Sequence, residues 1–270
     1  MGGGINNGSK LLNFSHHFET SHARTVKSPV SLCRPALSSA TTSNLRQAQD
    51  FYFREARRLG YVARSAFKLL ELQSAHRLIP KGGNVLDLGC VPGAWLQVAC
   101  QALGPPPSRS SPTPSRSSPT AKGCVVGVDL VAVDVGSLRH TDARVKTLVG
   151  DIFGLRPASV RALLPPGATC FDAVLGDAAP ATTGSADVDC ARSAKLALAA
   201  ASLALDGDDR LLKPGGCLLL KLLEGGSGRR ELGDACAGRF TRVLWARPKA
   251  TRASSREVFL VGLGLRRDRA

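Results

Sequence analysis

Hydrophobic and polar positions alternate in blocks from residue 84 to the end of the chain. Short apolar runs predict seven strands, at 84–88, 124–129, 145–149, 171–176, 216–222, 241–246 and 256–263. Stretches with helical periodicity fall between them, at 94–103, 156–164, 190–205 and 229–237. This alternation is typical of an α/β fold with a parallel sheet and helices on both faces. Residues 247–255 are too short for a parallel crossover, so we expect the last strand to run antiparallel to its predecessor.

Two further helices are predicted before the first strand, at 47–59 and 62–75, and the first has a strongly basic face. Residues 1–45 show neither period and are rich in Ser, Thr, Asn, Gly and His, with scattered Arg and Lys. That composition is typical of an organellar transit peptide or of a disordered tail, and both alternatives stay open. One folded domain is therefore predicted over 46–270, with a Pro- and Ser-rich surface insertion at 105–120.

The chain is strongly basic, with a formal net charge of +15 over 270 residues, of which the first 49 residues contribute only +4. A basic surface of this size favours a polyanionic partner, with nucleic acid first and an anionic membrane second. No run of eighteen or more apolar residues occurs, so no membrane span is predicted. The eight cysteines are irregularly spaced and form no C-x-x-C pair, so we predict neither a disulfide framework nor a metal site.

Residues 84–95 (NVLDLGCVPGAW) combine a strand, a glycine-rich turn and the start of a helix. They match neither the dinucleotide-binding fingerprint nor the P-loop, because the G-x-G-x-x-G spacing and the Gly-Lys-Ser/Thr ending are both missing. Asp87 stands two residues before Gly89, at the end of the strand. A carboxylate there suits a ligand with a positively charged amino group, such as S-adenosylmethionine, better than it suits a diphosphate.

Acidic residues also end or follow the next three predicted strands, at Asp129, Asp151 and Asp177. Ligands of open α/β sheets bind outside the carboxyl ends of the strands, where Asp129 could accept ribose hydroxyls. Asp151 and its apolar neighbour Ile152 could hold an adenine. A single strand-end Asp is more often a helix N-cap. Four acids in register with successive strands favour a cofactor site instead.

Four charged residues lie inside or against apolar runs, namely Lys68, Asp177, Lys221 and Glu257. Charges are rarely buried without a partner or a chemical task. Two lysines and two carboxylates can balance one another in one pocket, and such clusters are common at functional sites. A buried ion-pair network without catalysis is the alternative.

Several motifs occur in the order typical of one family: residues 64–69 (RSAFKL), 87–95 (DLGCVPGAW), 176–180 (GDAAP), 211–216 (LLKPGG), 220–221 (LK) and 254–259 (SSREVF). Together they resemble the FtsJ family of RNA ribose 2′-O-methyltransferases over about residues 47–265. The branch that methylates uridine in large-subunit rRNA, including its mitochondrial members, is the most similar. The departures from the usual motifs lie at 90–91 and in 176–181 and involve none of the four charged residues.

The resemblance implies a Rossmann-like sheet of seven strands, with the last strand antiparallel and helices on both faces, that binds S-adenosylmethionine. It implies a catalytic tetrad of Lys68, Asp177, Lys221 and Glu257. With the glycine turn, it gives these cofactor-binding positions: Asp87, Gly89, Pro92, Gly93, Ala94, Trp95, Asp129, Asp151 and Asp177. The expected partner is rRNA or a precursor of the large ribosomal subunit. A monomer in the mitochondrion is expected, with the chloroplast, cytoplasm or nucleus as alternative locations.

The implied reaction moves a methyl group from a sulfonium to a ribose 2′-oxygen, so the enzyme must align the hydroxyl and remove its proton. Lys221 is the expected base. The positive charges of Lys68 and the sulfonium, together with partial burial, favour loss of its proton. Asp177 is expected to orient Lys221, while Lys68 and Glu257 position the hydroxyl.

RNA is expected to cross a basic surface beside these residues, formed by two clusters: Arg54, Arg57, Arg58 and Arg64 near the first helices, and Arg247, Lys249, Arg252 and Arg256 near the last strand. A flexible or single-stranded target is expected, because the reactive ribose must enter a pocket. Two other hypotheses for the function stay open: a tRNA 2′-O-methyltransferase, and an RNA-binding ribosome assembly factor with weak catalysis. A small-molecule methyltransferase would not need this charge, and no cap-binding module is evident.

Overall fold

The computed structural model describes residues 42–106 and 123–267, with side chains described from residue 51 onward. The predicted 1–45 tail lies outside the described residues except for its last four, which belong to the first helix. The predicted insertion at 105–120 lies outside them from residue 107 onward. Within the described ranges, no helix is long and apolar enough to cross a membrane, and no group of three His, Cys, Asp or Glu side chains could hold a metal ion.

Seven strands form one sheet with the order β3-β2-β1-β4-β5-β7-β6. Their bounds are β1 Val85–Leu88, β2 Val125–Asp129, β3 Val145–Val149, β4 Phe171–Gly176, β5 Leu212–Leu223, β6 Phe240–Ala246 and β7 Glu257–Leu265. Strands β1 to β5 pair in parallel, whereas β7 lies between β5 and β6 and is antiparallel to both. The prediction of seven strands with an antiparallel last strand is confirmed.

Six α-helices accompany the strands in the described part of the chain: α1 Thr42–Leu59, α2 Ala66–His76, α3 Ala94–Ala102, α4 Pro157–Arg161, α5 Ala186–Leu205 and α6 Gly228–Cys236. Helix α1 begins five residues before the predicted position. Helix α4 is shorter than predicted. The pattern did not predict two short 3-10 turns. Val135–Ser137 lies after Asp129, which ends β2, and Ile152–Gly154 directly follows Asp151 and lies before α4.

Helices cover both faces of the sheet because side chains alternate between the faces along each strand. Leu86 and Val126 belong to the apolar core that includes the alanines of α5. Their neighbours Val85 and Val125 belong to the core on the other face, with α2 and α3. The strands are therefore buried on both sides, which explains why they appear in the sequence as continuous apolar runs rather than alternating ones.

The order of the strands reverses direction at β1, where the chain leaves toward β2 and β3 on one side and returns at β4 on the other. Such a switch point opens a crevice at the carboxyl ends of the two central strands. The register pairs Gly176 of β4 with Leu88 of β1 and with Leu220 of β5. Consequently Gly89, Asp177 and Lys221, each one position further on, meet at the mouth of this crevice.

Candidate active site

Four charged side chains from four separate elements meet at the carboxyl edge of the sheet. Lys68 lies in the first turn of α2, and Asp177 directly follows β4. Lys221 lies near the end of β5, and Glu257 begins β7. Because β7 is antiparallel to β5, its first residue pairs with Leu223 and returns to the same edge. The four residues that the sequence singled out are therefore neighbours in space, as predicted.

Each lysine of this tetrad contacts both carboxylates. Lys68 Nζ donates to Glu257 Oε2 at 2.7 Å and lies 4.0 Å from Asp177 Oδ1. Lys221 Nζ lies 3.1 Å from Asp177 Oδ1 and 3.9 Å from Glu257 Oε1. It also donates to the backbone carbonyl oxygen of Asp177 at 2.5 Å. Asp177 Oδ1 itself accepts no hydrogen bond from the described residues, so its contact with Lys221 is electrostatic.

The tetrad is mostly buried and electrically balanced. Lys68 and Lys221 are only 8% and 6% exposed, respectively. Burial pushes the pKa of Glu257 upward, but Lys68, and then Lys221, outweigh it and hold this pKa below its usual value. Glu257 is therefore ionised at neutral pH. Two positive and two negative groups in one pocket keep the desolvated cluster neutral overall.

Two aromatic side chains, one packed on the other, lie beside the tetrad. The Lys68 ammonium lies 5.9 Å from the centre of the Phe259 ring, and Phe259 packs against Trp95 with ring centroids 5.9 Å apart. Trp95 is buried and its indole Nε1 donates to the carbonyl oxygen of Ser65, just before α2. Although Trp95 was predicted as a cofactor contact, its side chain fixes the start of α2. Its backbone N–H in the first turn of α3 is the group that can face a ligand.

The glycine turn between β1 and α3 leaves no room for side chains. Gly89 has φ +80°, and a Cβ added there would lie 2.5 Å from the Cα of Ala178. Gly93 has φ +108°, and a Cβ there would lie 2.5 Å from a methyl carbon of Leu138. The turn also contains Pro92 and ends at Ala94, the first residue of α3. Glycine is therefore required at both positions because the turn packs tightly against Ala178 and Leu138. The N–H groups at the start of α3 are the part of the turn that can face a ligand.

Asp87 is a buried carboxylate without a partner. The residue is 0% exposed, and no described residue donates a hydrogen bond to either of its side-chain oxygens. Burial raises its pKa well above the usual value, and the nearby Asp177 and Asp129 raise it further. Buried polar groups are nearly always paired in native proteins. A carboxylate left unpaired beside the glycine turn therefore fits a site for a cationic ligand group.

The other two predicted acids, Asp129 and Asp151, accept backbone hydrogen bonds that stabilise the loops around them. Asp129 Oδ2 accepts from the backbone N–H of Val91 at 2.9 Å and so ties the end of β2 to the glycine turn. Asp151 Oδ1 accepts from the backbone N–H of Phe153 at 3.1 Å, in the manner of an N-cap. Each keeps further acceptor positions for a ligand, since an ionised carboxylate has about four.

Exposed apolar side chains stand beside these two acids. Leu130 follows Asp129 and is 69% exposed, while Phe153 follows two residues after Asp151 and is 63% exposed. Ile152, which the sequence suggested as the apolar neighbour, is buried in the core instead. The 3-10 turn explains this exchange, because it directs Ile152 inward and Phe153 outward. The sequence alone could not show which of Ile152 and Phe153 is exposed, because both are apolar.

The two basic clusters predicted beside the tetrad are joined through Arg64. This half-buried residue donates from Nη2 to the carbonyl oxygen of Ala250 at 2.7 Å, in the loop between β6 and β7. Arg247 likewise donates to carbonyl oxygens of that loop and to that of Glu257, so both arginines shape the surface. Lys249 and Arg252 are exposed and make no ion pair with any described residue. They are therefore the cations of this loop that are available to a polyanion.

The cluster on α1 is also exposed. Arg54, Arg57 and Arg58 all face solvent, and Arg58 forms an ion pair with Glu55 on the same helix. The guanidinium of Arg57 lies 5.9 Å from the centre of the Phe53 ring. Arg256, the last member of the predicted set, directs Nη1 toward the sulfur of Cys190 at 3.5 Å.

Comparison with known proteins agrees with this geometry. The model of the FtsJ-like methyltransferase family matches residues 61–265. A protein named ribosomal RNA large subunit methyltransferase E from Desulforapulum autotrophicum is 35% identical over 228 residues, which cover 83% of this chain and 96% of that protein. Its namesake from Syntrophobacter fumaroxidans is 34% identical, with 82% of this chain and 98% of that protein covered.

A solved structure has the same fold. It is described as a ribosomal RNA methyltransferase from Plasmodium falciparum and aligns with a TM-score of 0.58 at 23% identity, covering 76% of this chain and 98% of that one. At this identity the likeness concerns the fold alone. The family match extends from before the tetrad's first lysine to the end of β7. The chain therefore belongs to the FtsJ-like methyltransferase family.

Proposed function

We propose that this methyltransferase transfers a methyl group from S-adenosylmethionine to the 2′-hydroxyl of a uridine ribose in large-subunit rRNA, with Lys221 as the general base. The observation that carries the proposal is the placement of the buried tetrad directly beside the glycine turn. A base and a methyl donor must lie on either side of one hydroxyl for an in-line transfer. The names of the bacterial relatives favour large-subunit rRNA as the substrate.

The residues of the crevice fit S-adenosylmethionine. The unpaired carboxylate of Asp87 suits its amino group, and Gly89 and Gly93 allow the turn beside it to pack tightly against Ala178 and Leu138. Free acceptor positions on Asp129 suit ribose hydroxyls, while exposed Leu130 and Phe153 offer apolar surface for adenine. Asp151, Pro92, Ala94 and the backbone of Trp95 complete the proposed set. When bound, the cofactor supplies an activated methyl group on a sulfonium.

The contacts of Lys221 suit a base that accepts one proton. A neutral lysine amine has two N–H groups and one lone pair, whereas the ammonium ion has three N–H groups. One N–H group can stay directed at the backbone oxygen of Asp177, 2.5 Å away, while the carboxylate 3.1 Å away holds the amine nearby through an electrostatic contact. The lone pair is then left for the ribose hydroxyl. Asp177 thus orients the base, as the resemblance implied.

Lys68 and Glu257 act as a second pair that positions the hydroxyl. Their 2.7 Å contact is the shortest ion pair within the tetrad, and both side chains are largely buried. Glu257 lies too far from Lys221, at 3.9 Å, for a hydrogen bond. Its carboxylate therefore stays with Lys68, which keeps the Lys68 ammonium fixed at the edge of the pocket.

The substrate is tested by offering several RNAs to the purified full chain with radiolabelled S-adenosylmethionine. Samples are large-subunit rRNA, assembled large subunits, small-subunit rRNA and tRNA. We expect label in large-subunit rRNA, free or assembled, and at most a trace in the others. Label in tRNA alone would assign the enzyme to the tRNA substrate. Cofactor binding without transfer to any RNA would favour an assembly factor.

Reversing the charge of the β6–β7 loop is expected to weaken RNA binding in a salt-dependent way. Each phosphate contact contributes about 0.7–0.9 to the slope of log affinity against log salt, so Lys249→Glu with Arg252→Glu should reduce the slope by about 1.5. Titrations of rRNA at several salt concentrations measure it. Lys81→Glu with Lys195→Glu, exposed lysines outside this surface, is the matched control. An equal change in the control would refute the assignment of this surface.

A further inference from the structure

An arginine-lined cavity lies at the end of the strands opposite to the tetrad, near the start of β5 and the end of β7. It has a volume of about 320 Å³ and is lined by residues at the end of α5, before β5, before β6 and at the end of β7. Four of its seven lining residues are arginines, and none is acidic: Leu205, Arg210, Gly238, Arg239, Leu265, Arg266 and Arg267. We call this group of four arginines with its cavity the basal arginine site.

Two of the arginines belong to segments that neighbouring residues hold in place. Arg239 pairs with Asp206 at 2.6 Å and also donates to the carbonyl oxygen of Leu205. The backbone carbonyl oxygen of Arg210 accepts from Arg161 Nη2 at 3.0 Å, and Arg161 is in turn paired with Asp209. The backbone around the cavity is therefore fixed before any ligand arrives, which lowers the entropic cost of binding.

The other two arginines are exposed and available. Arg266 and Arg267 directly follow β7, and neither makes an ion pair with the described residues. The backbone N–H of Arg266 donates to the carbonyl oxygen of Arg239 at 2.7 Å, which keeps the two segments together. Arg266 and Arg267 both line the concavity, and their two guanidinium groups repel one another unless an anion lies near them. Planar guanidinium groups are well suited to phosphate because they donate two parallel hydrogen bonds.

The basal arginine site is far from the chemistry. Strand β7 begins at Glu257 of the tetrad and ends at Leu265 of the cavity lining. An antiparallel strand rises about 3.4 Å per residue, so the two sites lie roughly 25 Å apart. No lining residue of the cavity belongs to the tetrad, the glycine turn or the basic clusters beside them. A ligand there cannot take part in methyl transfer.

We propose that the basal arginine site binds phosphodiester groups of the RNA substrate at a point remote from the methylated ribose. This inference rests on the proposed function and adds a property of the substrate: it is a large folded RNA that reaches around the domain from one edge of the sheet to the other. A short single strand in the active site would leave the basal arginine site empty. The excess of positive charge, net +15, favours RNA over a protein partner as the occupant.

The test compares two RNAs and one charge reversal. Arg266→Glu with Arg267→Glu changes exposed side chains, so the fold should be retained. We expect the affinity of the full chain for complete large-subunit rRNA to fall about tenfold or more, with a shallower salt slope. Affinity for a short oligonucleotide that carries the target ribose should change less than twofold. Arg192→Glu with Arg230→Glu, exposed arginines outside the cavity, is the matched control and should have a smaller effect on both RNAs.

Three outcomes would overturn the inference. Equal losses for the long and the short RNA would mean that the charge acts at long range and not through a remote contact. Unchanged rRNA affinity, combined with lost protection by inorganic phosphate in a thermal melt, would assign the site to a free phosphate. Unchanged rRNA affinity, combined with lost binding to phosphatidylserine vesicles, would assign it to lipid headgroups. If the unaltered chain binds long rRNA through these arginines but never methylates it, the proposed function fails; the contact with RNA is then retained, but the RNA is not a substrate.

Discussion

Replacing Lys221 with methionine is expected to slow methyl transfer by about 10²–10⁴-fold, the range that a positioned general base contributes. Methionine keeps much of the aliphatic stem but removes the amine that faces Asp177. Single-turnover transfer of labelled methyl groups to rRNA measures the loss. Binding of S-adenosylmethionine and RNA should change far less than the rate. Lys81→Met, an exposed lysine at the other edge of the sheet, is the control and should leave the rate unchanged.

Arginine at the same position separates a base from a mere positive charge. Lys221→Arg keeps the two-to-two charge balance of the tetrad, but a guanidinium cannot give up its proton in a protein. If Lys221 is the base, the arginine variant should be nearly as slow as the methionine variant. If the side chain only balances Asp177 and Glu257, arginine should restore most of the rate. A melting curve for each variant shows whether the tetrad still folds.

The second large effect is expected at Asp87, where stability and cofactor binding should change in opposite directions. The unpaired, fully buried carboxylate destabilises the free protein, so Asp87→Asn should raise the free energy of unfolding by about 1–3 kcal/mol. The same change removes the charge proposed to bind the cofactor's amino group. Affinity for S-adenosylmethionine should fall about 10–100-fold, the effect of losing a hydrogen bond to a charged group.

The stability difference should depend on pH in a definite direction. Because burial raises the pKa of Asp87, the folded protein binds this proton more tightly than the unfolded chain does. The contribution of Asp87 is thus most favourable below the unfolded-state pKa of about 3.9 and becomes unfavourable as pH rises above it. The gain from Asp87→Asn should therefore grow from mildly acidic to mildly alkaline pH.

Thermal melts of both proteins across pH, with and without S-adenosylmethionine, measure this difference. Added cofactor should stabilise the wild type more than the variant and so reduce the gap. Asp234→Asn, at an exposed carboxylate on α6, should show neither effect. A variant that is less stable than the wild type at neutral pH would mean that Asp87 has a partner in solution. Unchanged cofactor affinity would remove Asp87 from the site.

Strand positions were predictable because each strand is buried on both faces and appears as an apolar run. Strand β5 is the exception, since it begins at Leu212 and not at 216. Pro214 and the two glycines after it are typical of a turn, and Gly215 does have a positive φ of +81°, yet the segment still belongs to the strand. Its pairing with β4 shifts register between Phe171 and Ala173, which accommodates the extra residues. Local composition does not reveal such an irregularity, because it depends on the neighbouring strand.

The tetrad was predictable for a related reason: a charge inside an apolar run is conspicuous in sequence. What sequence could not give is the pairing within it. The register between β4 and β5 brings Asp177 to Lys221, while the reversal of β7 brings Glu257 to Lys68. The orientation of the Trp95 side chain could not be predicted either, because whether it faces the crevice or the core depends on how α2 packs against α3.

The basal arginine site had no sequence signal at all. Its arginines come from three separate segments, at 210, at 239 and at 266–267, and each is one basic residue among the 36 in the chain. Only the folded sheet places the start of β5, the start of β6 and the end of β7 side by side. The sequence shows the net charge of the chain, but the strand order determines where on the surface the positive charge concentrates.

Locating the transferred methyl group on the RNA tests the central claim most directly. Large-subunit rRNA lacking its own modifications is incubated with the full chain and labelled S-adenosylmethionine, digested to nucleosides and separated. We predict that the label is recovered as 2′-O-methyluridine from one site, and that the Lys221→Met and Lys221→Arg proteins give little of it. Label on a base, or equal amounts of 2′-O-methyluridine from the wild type and both variants, would contradict the account.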